Sequence, residues 1–206
     1  MMKKAVFVSL CIPIAFTACV SAINQKNADR YYEAGVQAES AKNWPLARQN
    51  YSRALVNARS GGAAPDYVSA VTHNLGRATG YSCDYAQAET LLIESVALEK
   101  ALPNPSVANL TKRWSELGRL NFDQGKFKES AAWLSQAIPE LERLRVPTDD
   151  PIGFARYLED TALAFEKSSD ALRAATLRLK AEVLQAANPQ RSSNFLPTYY
   201  RDVCVK

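Results

Sequence analysis

Residues Thr111 to Ala137 read TKRWSELGRLNFDQGKFKESAAWLSQA. Trp114, Leu117 and Gly118 fall within one amphipathic segment, Gly125 interrupts it, and Phe127, Ser130, Leu134 and Ala137 share one face of a second segment. Spacings of three, four and seven residues belong to a helical face. The stretch therefore predicts a helical hairpin that turns at Gly125.

The hairpin recurs. Gly35, Gly76 and Gly118 are 41 and then 42 residues apart, and Ala34, Leu75 and Leu117 directly precede them. Three places before those stand Tyr31, Thr72 and Trp114. Nine places after each glycine comes an aromatic (Trp44, Tyr85, Phe127), and twelve after it a small residue (Ala47, Ala88, Ser130). A large residue follows at Tyr51, Leu92 and Leu134, then a small one at Ala54, Ser95 and Ala137. Self-similarity at a fixed period is the signature of a stacked repeat.

This pattern of bulky-x-x-Leu-Gly followed by Ala-x-x-x-aromatic-x-x-Ala resembles the tetratricopeptide repeat (TPR) family. The resemblance implies an all-α, right-handed TPR solenoid of about four helix-turn-helix repeats. Its period, near 42 residues, is longer than the usual 34. Small residues are expected to let the paired helices approach, with the large ones filling the space between repeats. The joins AAPDY, LPNPS and VPTDDP carry prolines that stop one helix and start the next. Asp150-Pro151 reads as a helix cap with a first-turn proline, and Asp84 with Gln87 as a capping box. A degenerate fourth unit keeps Ala162, Ala174 and Ala181 but has Arg178 where a large apolar residue belongs, as befits a terminal repeat.

The expected organisation is a signal peptide at 1–18, a linker at 19–26, the solenoid at 27–187 and a C-terminal tail at 188–206. Lys3 and Lys4 precede an apolar run, Ala5 to Phe16, too short to span a bilayer. Phe16-Thr17-Ala18-Cys19 resembles a bacterial lipobox, which implies lipidation of Cys19 and an outer-membrane lipoprotein facing the periplasm. Ordinary cleavage after Ala22, giving a soluble periplasmic protein, is the alternative. Removing Lys3 and Lys4 lowers the formal charge from +4 to +2 (4 − 2), and no long basic run remains, so nucleic acid is not an expected partner. Cys83 and Cys204 are the two cysteines left in an oxidising compartment, either bridged to each other or separate thiols. The tail's Phe195, Leu196, Tyr199 and Tyr200 suit packing on the solenoid, with a free tail as the alternative.

The chemistry-bearing residues are sparse. His73 is the only histidine, and no nucleophile motif, phosphate loop or metal-ligand cluster is present. The paired acids Asp149-Asp150 and Glu159-Asp160 read as a cap and a solvated face. No enzymatic activity, cofactor, metal or small-molecule substrate is expected. The family's groove-facing places, carried onto this chain, are Asp29, Tyr32 and Val36; His73, Arg77 and Tyr81; Lys112, Ser115, Arg119 and Phe122; and Arg156, Glu159 and Leu163. Seven of these, Tyr32, His73, Arg77, Tyr81, Lys112, Arg119 and Phe122, form the expected partner groove. Its basic and aromatic middle suits an extended peptide with acidic groups or a C-terminal carboxylate; a face occupied by the chain's own tail is the other reading. Asn74 and Lys112 match the family's carboxylate clamp, but Tyr32, Val36 and Glu116 do not, so that mode is not expected. The expected function is a non-catalytic adaptor or scaffold that binds a protein or peptide partner in the bacterial envelope. A soluble periplasmic subunit acting through oligomerisation is the alternative.

Overall fold

The computed structural model describes residues 13–193 and 197–204, with side chains from Val20 onward. The start of the segment read as a signal peptide, the side chain of Cys19, and Phe195 and Leu196 lie outside the described residues. Four antiparallel helix pairs follow one another: α1 (Pro13–Ser40) with α2 (Trp44–Ser60), α3 (Pro65–Tyr81) with α4 (Tyr85–Lys100), α5 (Val107–Asp123) with α6 (Phe127–Arg143), and α8 (Pro151–Lys167) with α9 (Ala171–Ala187). A short α7 (Val146–Asp149) lies in the third join, and α10 (Tyr200–Val203) is a single turn near the C-terminus.

Each pair closes by the same turn. Lys42, Cys83, Gly125 and Ser169 occupy the left-handed region at φ 55°, 67°, 75° and 66°. The residue after each donates its N–H five places back: Asn43 to Ala38, Asp84 to Thr79, Lys126 to Asn121 and Asp170 to Phe165. Asn43, Asp84 and Asp170 also cap the helix that follows, accepting from Leu46, Gln87 and Arg173. At Asp84 only half of the expected capping box forms, because the Gln87 side chain accepts from Arg48 instead. Asp150 accepts from the Gly153 N–H, with Pro151 in the first turn of α8.

The repeat glycines make room for the large residue of the partner helix. A Cβ at Gly35 would stand 2.6 Å from the Tyr51 ring and one at Gly76 2.9 Å from Leu92, while one at Gly118 would overlap Leu134. The large side chains thus fill the space within each pair, rather than only between repeats as expected. The fourth pair, with Arg178 at the matching place, has no bulk to accommodate and carries Ala162 instead. Arg178 pairs with Glu166 at the surface.

The first helix begins earlier than the sequence suggests. Residues 19–26, read as a linker, are helical and continuous with the rest of α1. Ser21 Oγ (2.5 Å) and Gln25 Nε2 (2.8 Å) both donate to the Gly61 carbonyl at the C-terminus of α2. They satisfy one of the carbonyls that a helix end leaves without an intrahelical partner. Further along, Arg113 of α5 pairs with Glu99 of α4 at 3.0 Å, both side chains almost wholly buried. The same guanidinium donates to Ser69 of α3, and the other Glu99 oxygen accepts from the Ser106 N–H at the N-cap of α5. This buried pair fixes three helices at one junction.

Candidate functional site: the inner face and its tail

The first helices α1, α3, α5 and α8 present the inner face, and the C-terminal tail returns across it. Arg191 donates to the carbonyls of Thr148 and Asp149, and Ser193 to Asp150 Oδ2. From Pro197 onward the chain lies against α3 and α5. Tyr199 donates to Asp160 at 3.0 Å and Tyr200 to Glu116 at 2.5 Å. The Arg201 N–H donates to Asp123 at 3.1 Å, and its guanidinium lies 3.4 Å from the same carboxylate. Tyr81 donates to the Thr198 carbonyl at 2.8 Å. Cys204 is disulfide-bonded to Cys83, which sits in the α3–α4 turn.

Tyr200 is the anchor, with no exposed surface. Its ring stacks on Tyr81 at 4.3 Å, Tyr81 stacks on Trp44 at 4.2 Å, and the edge of Tyr85 closes the side. Gly80 makes this possible, since a Cβ there would overlap the Tyr200 ring. Such ring stacks add to the burial of apolar area.

Glu116 is the hub beneath. Its Oε2 accepts from Arg119 at 2.6 Å and faces Arg77 Nε at 3.5 Å, while its Oε1 takes the Tyr200 hydroxyl. Arg77 reaches on to Glu39 at 2.7 Å, whose other oxygen accepts from Tyr51. Burial works to raise Glu116, but Arg119 and Arg77 prevail and hold it down at about 2. Burial pushes His73 the other way, down to about 3, against the pull of Glu116 and with Arg113, Arg77 and Arg119 adding to it. His73 is therefore a neutral imidazole at physiological pH. Burial raises Asp160 and Asp123, the two carboxylates that hold Tyr199 and Arg201.

A cavity of about 360 Å³ remains open beside the tail, bounded by α3, α5, α8 and the end of α6 with α7. Of the seven groove residues expected from the sequence, His73, Arg77, Lys112 and Arg119 line it. The other three lie elsewhere. Tyr81 is covered by the tail and Phe122 lies under the Arg201 guanidinium with its ring edge-on to Phe127. Tyr32 packs against Tyr51 and Tyr67 and accepts from Asn74. Val36 is exposed and borders a second cleft with Glu39, Asn74 and Arg77, at whose edge Thr198 sits. Glu39, Glu116, Asp123 and Asp160 are not among the groove residues expected from the sequence. Asp160 in particular reads there as a solvated acid, whereas it is partly buried and bonded to Tyr199. Asp123 and Asp160 find their partners in the tail, whereas Glu39 and Glu116 join a partner in their own repeat (Tyr51, Arg119) to one beyond it (Arg77 for both, and Tyr200).

Among the described residues no group of three or more His, Cys, Asp or Glu is placed to hold a metal, and no helix is long and apolar enough to cross a membrane. No protein-family model matches the chain, and no curated protein matches it. In architecture the chain is similar to BtubC (BKLC) from P. vanneervenii, with a TM-score of 0.70 at 16% identity over 83% of this chain and 68% of that one. Weaker likenesses are to MamA (TM-score 0.48, 14% identity, 84% of this chain and 99% of that one) and to Bacillus thuringiensis PlcR in complex with the peptide PapR7 and DNA (0.47, 12%, 88% and 74%). The repeat pattern, the four helix pairs and the first of these likenesses agree on one fold: the chain is a TPR-like helical solenoid, with its own tail bound along the inner face.

Proposed function

We propose that this protein is a non-catalytic interaction module of the bacterial envelope, tethered through lipid on Cys19, whose inner face holds a segment of a partner protein. One observation carries the reading: the inner face already binds a polypeptide segment, residues 197–204 of its own tail with the α10 turn, through side chains of α3, α5 and α8. The cleft bordered by Val36, Glu39, Asn74 and Arg77 continues past Thr198 and leaves room for a further segment alongside. The sequence up to Cys19 supports the tether, which would confine a weak binder to the membrane surface and raise its effective concentration there.

Photo-cross-linking in intact cells tests the binding face. Cross-linkers at positions 36 and 112 are expected to trap the same partner, and one at the exposed position 56 of α2 is not. No product from the inner positions, or the same product from position 56, overturns the reading. Intact mass of the mature chain tests the tether separately: a product beginning at Ile23 without acyl mass removes it.

A second reading, self-assembly, is favoured by one feature. Leu172, Leu179 and Val183 stand exposed along one side of α9, at the end of the solenoid where a further repeat would stack. Sedimentation of the wild type against Leu179→Glu decides it, since an oligomer built on this side should dissociate in the variant.

A further inference from the structure

The cavity beside the tail divides chemically in two. Leu141 of α6, Val146 of α7 and Phe154 of α8 make one wall apolar, while Arg77, Lys112 and Arg119 make the opposite wall cationic. Two carboxylates also line it, but both are engaged. Glu116 is shared among Arg119, Arg77 and Tyr200. Asp150 takes the Gly153 N–H on one oxygen and Ser193 on the other. Lys112 is exposed and, among the described residues, makes no ion pair. Arg77 and Arg119 are held by Glu39 and Glu116, so Lys112 is the cation at the mouth whose charge no ion pair takes up among the described residues.

The cationic wall is also pre-set. Glu116 and Glu39 fix the Arg77 and Arg119 guanidinium groups before any ligand arrives, which lowers the ordering cost of binding. His73 contributes no charge, and Ser115 and Tyr157 complete the wall with hydroxyls bonded to each other at 3.1 Å. A bare inorganic anion would leave the apolar wall unused, and a cation would meet Lys112, Arg77 and Arg119. At about 360 Å³ the space falls at the small end of small-molecule pockets.

We infer that this cavity binds a small amphiphilic anion, an acidic head on an apolar body, with the head at Lys112, Arg77 and Arg119 and the body against Leu141, Val146 and Phe154. The inference goes beyond the adaptor reading and does not depend on a protein partner. The same chemistry has two sources: a free organic acid, or the carboxylate end of a polypeptide with an apolar last residue.

The test titrates the mature, disulfide-bonded protein with octanoate, octanol and acetate, read by calorimetry and by amide shifts of Ser115 and Gly153. Octanoate is expected to saturate and to move both amides, with octanol and acetate each weaker by about tenfold or more, as the loss of a charge-assisted contact or of the apolar body requires. Lys112→Glu, at an exposed position, should keep the wild-type melting temperature and weaken octanoate by about tenfold while leaving octanol unchanged. A hexapeptide ending in leucine, with a free carboxylate or an amide, separates the sources. Displacement of octanoate by the free acid alone assigns the site to a polypeptide end; displacement by neither peptide assigns it to a free acid. Octanol binding as well as octanoate, unchanged octanoate affinity in Lys112→Glu, or no saturation by octanoate overturns the inference.

Discussion

One residue along α5 separates Ser115, which faces the open cavity, from Glu116, whose Oε1 meets the tail. The strip on the cavity side is cationic and apolar; the strip under the tail is aromatic and acidic, built from Tyr81, Glu116, Asp123 and Asp160. The strips take different places in the repeat, with Arg77 and Arg119 directly after the repeat glycine, Glu116 and Asp160 two places before it or the matching Ala162, and Tyr81 and Asp123 five after, but spacing alone does not say which strip is covered. What does is the tail, whose two tyrosines and one arginine select the carboxylates and cover them. Opposite charge on neighbouring strips therefore follows from one hub: Glu116 fixes Arg77 and Arg119 on one side and Tyr200 on the other.

Removing the hub should have the largest effect. Glu116→Ala strands the Arg119 guanidinium and the buried Tyr200 hydroxyl and leaves Arg77 with Glu39 alone, a loss of about 3–5 kcal/mol in urea unfolding. A loss under about 1 kcal/mol would mean the two strips do not share a hub. The pH dependence separates the strips further. Glu116 is held at about 2, below its ordinary 4.5, so the stability it brings is complete above 4.5 and disappears as pH falls from there towards 2. Glu116→Gln should flatten the acid limb in that window. Asp123 and Asp160 are raised by burial, so their contribution runs the other way, present at low pH and lost as pH rises through their raised values.

Next in size is the tail's covalent tie. Cys83 and Cys204 are 121 residues apart, and a cross-link over so long a loop is worth about 2–4 kcal/mol. Cys83→Ser with Cys204→Ser should lower stability by that amount. The Cys204 amide, which donates to the Tyr200 carbonyl, should exchange faster with solvent while amides in the middle of α5 stay protected. Equal loosening of both would show that tail and solenoid open as one unit.

How much of this was readable in advance depends on the reach of the interaction. The pairs Gly35 with Tyr51, Gly76 with Leu92 and Gly118 with Leu134 join adjacent helices at a constant separation of 16 residues, so the periodicity exposes them and with them the fold. His73, Arg77, Lys112 and Arg119 lie on the periodic face of the first helices and are placed by the same argument. Glu116 and Tyr200 are 84 residues apart, and the tail has no period, so no spacing connects them. That is why Tyr81 and Phe122 read as open groove residues when the tail covers both. Residues 19–26 escaped for a different reason. Ser21, Asn24 and Gln25 are polar and form no apolar stripe, yet two of them satisfy a carbonyl at the end of the neighbouring helix.

A finer cut separates the two functions of Tyr200. Tyr200→Phe keeps the ring in its stack between Tyr81 and Gly80 but removes the donor to an ionised carboxylate, for about 1.5–3 kcal/mol. The change in urea midpoint should therefore be clear yet smaller than that of Glu116→Ala. A midpoint equal to the wild type would place the anchoring in the ring alone.

The smallest effect belongs to the open strip. Lys112 is exposed and makes no ion pair among the described residues, so Lys112→Ala should change stability by less than about 0.5 kcal/mol. Its urea midpoint and the exchange of the Cys204 amide should both match the wild type. A clear loss of stability would mean that Lys112 helps hold the fold, and the contrast between a strip that secures the tail and one left available to a ligand would then break down at its most exposed residue.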